Sequence, residues 1–274
     1  MSTIARTVLA AAVIAGAAGL DIQRIRAETP APPYNSDLFD LSDWKLTLPI
    51  QDEEDDDAAE IYRLVGYEHP DWFYDGPDGT MVFVAPVDGV TTGGSRYPRS
   101  ELREMRNGDE AAWTLREGGT MTATLRVDQV PERDDGKPGR IIVGQIHGED
   151  DELIRLYWQD GRVYFVNDRA GPDDDEMEFT LENAQGDEPA VALGERFSYL
   201  IDARGDTLTV EVRAAGDLYR SVTPINAIWQ SDVFYFKAGL YLGVNDETGS
   251  GIGQVSFYAL DFGHAPGSGR AGLR

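Results

Sequence analysis

The sequence predicts an all-β domain, a sandwich or a barrel, and three observations carry that expectation. Short runs of β-branched, aromatic and alternating residues recur at a spacing of roughly 8–12 residues. Turn residues separate them: Gln159-Asp160-Gly161 and Arg204-Gly205-Asp206 each stand between two such runs. Sustained helical periodicity is missing, and only 225–230 suggests one short turn of helix.

In chain order, residues 1–28 read as an export signal. Arg6 supplies the positive start, and the apolar run from Val8 to Leu20 is too short for a stable membrane anchor. A secreted or periplasmic protein is expected. Residues 29–36 form a proline-rich lead-in. Strand-type runs begin with 44–48, which alternates and stops at Pro49, and continue with 80–85 after Asp78-Gly79. Threonine alternates with apolar residues over 120–127, and 141–147 is almost wholly apolar. The pairs 153–158 with 162–166, and 197–203 with 207–213, read as hairpins. Runs at 233–241 and 254–262 close a single domain over 37–263, with a glycine-rich tail over 264–274.

Composition narrows the partners. The chain holds 49 Asp and Glu against 24 Lys and Arg, a formal charge of −25, so nucleic acid is not expected as a partner. No run besides the leader approaches the ~18 apolar residues of a membrane helix. No cysteine is present, which excludes disulfides, thiolate metal sites and a cysteine nucleophile. The acidic runs lack the spacing of a calcium loop, so neither metal nor cofactor is expected, and a monomer is.

Three segments carry chemistry. In Arg99-Ser100-Glu101-Leu102-Arg103-Glu104, strand alternation puts Arg99, Glu101 and Arg103 on one face and Ser100, Leu102 and Glu104 on the other. Two guanidinium groups around one carboxylate suit either a surface ion-pair ladder or a grip on an anionic substrate. In 141–147, Gln145 and His147 share a face while Ile146 turns back. In 233–241, Phe234, Phe236, Ala238 and Leu240 face a core, whereas Tyr235, Lys237, Gly239 and Tyr241 face away. Gly239 is expected to leave room for a ligand beside the backbone.

On one concave sheet these segments place Arg99, Glu101, Arg103, Gln145, His147, Tyr235, Lys237 and Tyr241 together. Two carboxyl groups flanking a bond, as a glycosidase requires, are missing. The set fits β-elimination on a uronic acid. Arg and Gln donors neutralise the carboxylate and stabilise the enolate-like intermediate. Histidine, ordinarily near 6.5, can take the C5 proton, and tyrosine, ordinarily near 10, can protonate the leaving oxygen or act as a base if cations lower its pKa.

Arg-Ser-Glu-Leu-Arg at 99–103, Gln-Ile-His at 145–147 and Tyr-Phe-Lys-Ala-Gly-Leu-Tyr at 235–241 resemble, in order, the three signature motifs of the alginate lyases of polysaccharide lyase family 7. Residues 41–49 resemble that family's opening strand and 91–98 the approach to its first motif. The resemblance implies a β-jelly roll of two antiparallel sheets with substrate in a groove on the concave one, and endolytic cleavage of alginate to unsaturated oligosaccharides. It implies Arg103 and Gln145 as the carboxylate-neutralising pair, His147 as the base on guluronate, and Tyr241 as the acid. For mannuronate it implies Tyr241 as both. Arg99, Glu101, Tyr235 and Lys237 match groove positions that bind or orient the chain. Ile146 leans the preference towards guluronate-containing blocks. The sequence departs from the pattern after Tyr241, where Leu242-Gly243 replaces the usual Asn-Gln. A lyase on another polyuronate such as glucuronan, and a non-catalytic alginate-binding lectin-like module, are the alternative readings.

Overall fold

Alternation is plainest where one face of a strand meets water. In the computed structural model, which describes residues 34–53 and 56–264, β13 (Arg196–Arg204) and β14 (Thr207–Ala214) switch between buried and part-exposed residues at every step. The export signal, most of the lead-in and the tail beyond His264 lie outside the described residues.

The remaining strands are β1 (Trp44–Gln51), β2 (Ala58–Ile61), β3 (Phe73–Asp75), β4 (Met81–Pro86), β5 (Arg99–Arg106), β6 (Asp109–Glu110), β7 (Gly119–Gln129), β8 (Glu132–Arg133), β9 (Ile141–His147), β10 (Glu152–Gln159), β11 (Arg162–Asn167), β12 (Met177–Phe179), β15 (Asp217–Pro224), β16 (Tyr235–Leu242), β17 (Gly249–Ser250) and β18 (Ile252–Gly263). One sheet runs β12-β11-β10-β9-β16-β5-β1-β2, with β6 paired to β5. The other runs β15-β14-β13-β7-β18-β4-β3. Every pairing is antiparallel, and sequence-distant strands lie side by side, the β-jelly roll that the resemblance implies.

The core fills the space between the sheets. Leu46, Leu102, Ile146, Phe236 and Leu240 from the first meet Phe83, Leu125, Tyr199, Ile201 and Phe257 from the second. On the core side of β5, Glu104 is 1% exposed and accepts from Trp113 Nε1 (2.9 Å), the Phe236 amide (2.9 Å) and His264 Nε2 (2.7 Å). Three donors on one buried carboxylate offset its desolvation. They also pin His264, which was expected to begin a free tail.

The domain starts earlier than residue 37. A short helix, Asn35–Leu38, follows Tyr34, and Asn35 is completely buried, so the end of the lead-in belongs to the fold. Both expected hairpins are present, closed by Gln159 opposite Arg162 and Arg204 opposite Thr207; in the first, Asp160 and Gly161 have φ of 48° and 85°, the primed turn that matches strand twist. The helical turn expected over 225–230 is a 3-10 helix, Ala227–Ser231.

Candidate active site

The central strands of the first sheet behave differently from β13 and β14. Six of the eight residues of β1, and most of β5, β9 and β16, are buried on both faces. The face away from the core is lined by Lys45, Thr47, Arg99, Glu101, Gln145 and Lys237, all buried polar residues. Burial of that much charge requires mutual pairing, and the pairing is dense.

Strand β16 lies between β9 and β5, which brings the three segments together. Tyr235 stands opposite His147; Lys237 stands opposite Gln145 on one side and Arg103 on the other; Tyr241 stands opposite Arg99. Glu101, 1% exposed, is the hub. It accepts from Gln145 Nε2 at 2.5 Å, from Lys237 Nζ at 2.9 Å and from Arg99 Nη1 at 3.3 Å. Those donors hold its carboxyl below the ordinary range against the opposing effect of burial, the largest single influence on it.

The second arginine does not join this hub, contrary to the expectation that both would flank Glu101. Arg103 pairs with Glu110 of β6 at 2.9 Å, and its guanidinium lies 3.8 Å from the centre of the Tyr235 ring. The β5–β6 hairpin folds Glu110 back over the sheet, and a fork-shaped guanidinium on a tyrosine face is a favourable arrangement. Arg99 lies 3.9 Å over the Tyr241 ring in the same way.

His147 stacks on Tyr235, with ring centres 5.0 Å apart. Its Nδ1 lies 2.7 Å from the Gly148 carbonyl, a partner that can only accept, so Nδ1 carries the hydrogen and Nε2 has the free lone pair. Burial first, and then Lys237, push its pKa down to about 4, so the ring is neutral at pH 7. Tyr241 hydrogen-bonds Ser95 Oγ at 2.8 Å. Burial raises its pKa above the ordinary value of 10.0, outweighing Arg99. The condition for a basic tyrosine, a pKa lowered by cations, is not present, and the phenol carries its proton as the acid role requires. Burial also drives Lys237 down to about 8.

Gly239 has a different role from the one expected. Its φ is 136°, and an added Cβ would come within 2.8 Å of the Ser100 carbonyl oxygen. The glycine permits close approach of β16 to β5 rather than of a ligand. Sequence reasoning also passed over Lys45, which bridges Glu60 (2.7 Å) and Glu110 (2.8 Å), together with Ser95, Glu110 and Glu152. Alternation through Trp44-Lys45-Leu46 was the available signal for Lys45; the others reach the site from loops, a hairpin and a neighbouring strand, where no periodicity marks them.

Among the described residues, the buried atoms without a hydrogen-bond partner include Arg99 Nε, Arg103 Nε, Gln145 Oε1 and, opposite Gln145, Arg155 Nε. Unsatisfied polar atoms beside a cationic surface mark a place for a polar, anionic ligand. Among the described residues no group of three or more metal-binding side chains occurs.

The sequence profile of the alginate lyase family matches residues 39–264. The chain belongs to the alginate lyases of polysaccharide lyase family 7. An alginate lyase of Klebsiella pneumoniae is 36% identical over 288 aligned positions, 87% of this chain and 93% of that one. The crystal structure of the alginate lyase from Klebsiella pneumoniae superposes with a TM-score of 0.75 at 31% identity, covering 85% of this lyase and 99% of that chain. Alginate lyase A1-II′ of polysaccharide lyase family 7 follows at 0.69 and 30%, covering 85% and 99%. A variant of A1-II′ with one histidine changed to asparagine and one tyrosine to phenylalanine was crystallised with the substrate GGMG; it superposes at 0.69 and 28% identity, covering 86% and 98%. The present lyase is thus a polysaccharide lyase acting on alginate.

Proposed function

We propose that this lyase cleaves alginate endolytically by β-elimination, with a lean towards guluronate-containing blocks. The observation that carries the proposal is the strand order β9-β16-β5, which sets His147, Gln145, Lys237, Arg99, Arg103 and Tyr241 on one face of the sheet. His147 Nε2 removes the C5 proton of the uronate. The electron pair forms the C4–C5 double bond, the C4–oxygen bond breaks, and the leaving oxygen takes the Tyr241 proton. The products are a reducing-side fragment that begins with a 4,5-unsaturated uronate and a non-reducing-side fragment whose leaving oxygen, now protonated, is the hydroxyl of a new reducing end. Transfer of the proton from imidazolium to tyrosinate, through solvent, resets the site.

Arg103 and Gln145 neutralise the uronate carboxylate, and Lys237 and Arg99 set the field around it. Glu101 fixes Gln145, Lys237 and Arg99 before substrate arrives, so little reorganisation of these three is left for the transition state. Glu110 holds Arg103 in the meantime, and an incoming carboxylate exchanges with it. Glu152, 3.5 Å from His147 Nε2, stabilises the imidazolium that forms. The histidine and tyrosine exchanged in the A1-II′ substrate complex are the residue types assigned these roles here. Ile146 is fully buried, so its lean towards guluronate acts only through the placement of Gln145 and His147. Export follows from residues 1–28, and N-terminal sequencing of the protein recovered from culture medium tests it.

Incubation with polyguluronate, polymannuronate and glucuronan, following ultraviolet absorbance of the new double bond, tests the reaction. His147→Ala and Tyr241→Phe each abolish the signal on polyguluronate while the protein stays folded. Activity retained in either variant removes that residue from the mechanism. Binding without any double bond in the wild type makes the protein a lectin-like module. An early, steep fall in viscosity marks endolytic action.

A further inference from the structure

We infer that Arg140, with Arg133 and Tyr97, forms an additional uronate-carboxylate subsite beyond Tyr241; this deepens the polyuronate reading and rests on it. A pocket of about 290 Å³ opens there, lined by Tyr97, Arg133, Arg140, Gln159, Gly243 and Thr248. Tyr97 links it to the catalytic face. The Tyr97 ring lies 6.4 Å from that of Tyr241. Tyr241 in turn packs on a small apolar patch of Ile142, Tyr157, Tyr164 and Val166, separate from the main core.

Arg140 stands at the edge of this patch. It is half-buried, and its guanidinium lies 4.8 Å from the centre of the Tyr157 ring, which is itself stacked on Tyr164 at 5.2 Å. Among the described residues it makes no ion pair, whereas Arg99, Arg103, Arg155 and Arg162 all do. Its guanidinium is therefore not neutralised by a carboxylate of the protein and is available to one from outside. Its contacts are with phenols, the Tyr157 ring face and the Tyr164 hydroxyl, and the donors that these leave over can turn to a planar carboxylate. Arg133 reaches the same pocket from β8, and its bond to Asp135 (3.3 Å) is a weak exposed pair that a ligand can displace.

Gly243 makes the arrangement possible. A Cβ at this position would come 2.6 Å from Arg140 Cγ and 3.1 Å from its Nε. Any larger residue displaces the arginine. The departure after Tyr241, with glycine in place of the second amide of the family pattern, therefore exchanges an amide contact for a cationic one.

The test compares wild type, Arg140→Gln, Arg133→Gln and Gly243→Gln, each checked for an unchanged thermal midpoint. Initial rates on polyguluronate are expected to show KM raised about tenfold in Arg140→Gln and in Gly243→Gln, with kcat within about twofold, and a smaller rise in Arg133→Gln. Calorimetric titration of a saturated guluronate oligosaccharide is expected to show the same loss of affinity. Unchanged KM and affinity in Arg140→Gln overturn the subsite. A wild type that forms no double bond overturns the catalytic reading alone, because the titration still judges Arg140. If Arg140→Gln does not fold, Gly243→Gln and Arg133→Gln decide by the same two measurements.

Discussion

At the scale of single residues, burial and fixed charge set the protonation states that elimination needs. His147 is held at about 4 by burial and Lys237, and Lys237 at about 8 by burial and Arg99. The pH profile of kcat/KM is therefore expected to have its acid limb near 4, well below the ordinary histidine value of ~6.5, and an alkaline limb near 8 as Lys237 loses its charge. An acid limb at ordinary histidine values would show that the ring is not desolvated. The same shift bears on stability. A histidine with a depressed pKa contributes stability that is complete above about 6.5 and is lost as pH falls towards 4, because the unfolded chain then binds the proton first. Glu101 is the other residue with leverage. Glu101→Ala leaves Arg99, Lys237 and Gln145 buried around an empty acceptor and is expected to cost roughly 3–5 kcal/mol, read as a lowered thermal midpoint. Glu110→Gln has the opposite sign for function: weakening the pair with Arg103 is expected to lower KM on polyguluronate several-fold, and an unchanged or raised KM would mean that Glu110 does not compete with substrate.

At the scale of elements, β16 decides the site because it carries two patterns at once. Its apolar positions enter the core and its polar positions meet both β5 and β9. That pattern was legible from alternation, and so were β5, β9 and the two tight hairpins. The edges were not. Strand β15 is exposed along most of its length and ends at Pro224, so neither hydrophobic alternation nor composition marks it. The link between Glu104 and His264 was hidden for another reason: it joins residues 160 apart, and no local period encodes a long-range hydrogen bond. Element-level changes should therefore cost stability before chemistry. Gly239→Ala meets both a positive φ and the Ser100 carbonyl and is expected to lower stability by about 1–3 kcal/mol, with activity falling as β16 is pushed from β5. His264→Ala removes one of three donors to Glu104 and is expected to lower the thermal midpoint by an amount equivalent to about 1–3 kcal/mol while leaving KM unchanged. A midpoint equal to wild type would show that the C-terminal end of β18 is not held by this contact.

At the scale of the whole molecule, the protein and its substrate carry the same sign. The formal charge is −25, and alginate is a polyanion. The groove supplies little excess to counter this. Arg99 and Lys237 outnumber Glu101 by one, Lys45 and Arg103 are matched by Glu60 and Glu110, and Arg155 is matched by Glu152 beside His147. Long-range repulsion and short-range attraction respond differently to salt. The screening length is about 10 Å at 0.1 M and about 3 Å at 1 M, so added salt removes repulsion from distant surface carboxylates before it weakens hydrogen-bonded contacts inside the groove. Electrostatic opposition of this kind acts mainly on the association rate. Raising sodium chloride from about 0.01 M to about 0.5 M, across one to several screening lengths of surface charge, is therefore expected to raise kcat/KM on polyguluronate, with the gain in KM rather than kcat. Short oligosaccharides carry fewer charges and should gain less. Activity that stays flat or falls from low salt upward, or an equal gain on short and long chains, would place the controlling electrostatics inside the groove instead of on the acidic surface.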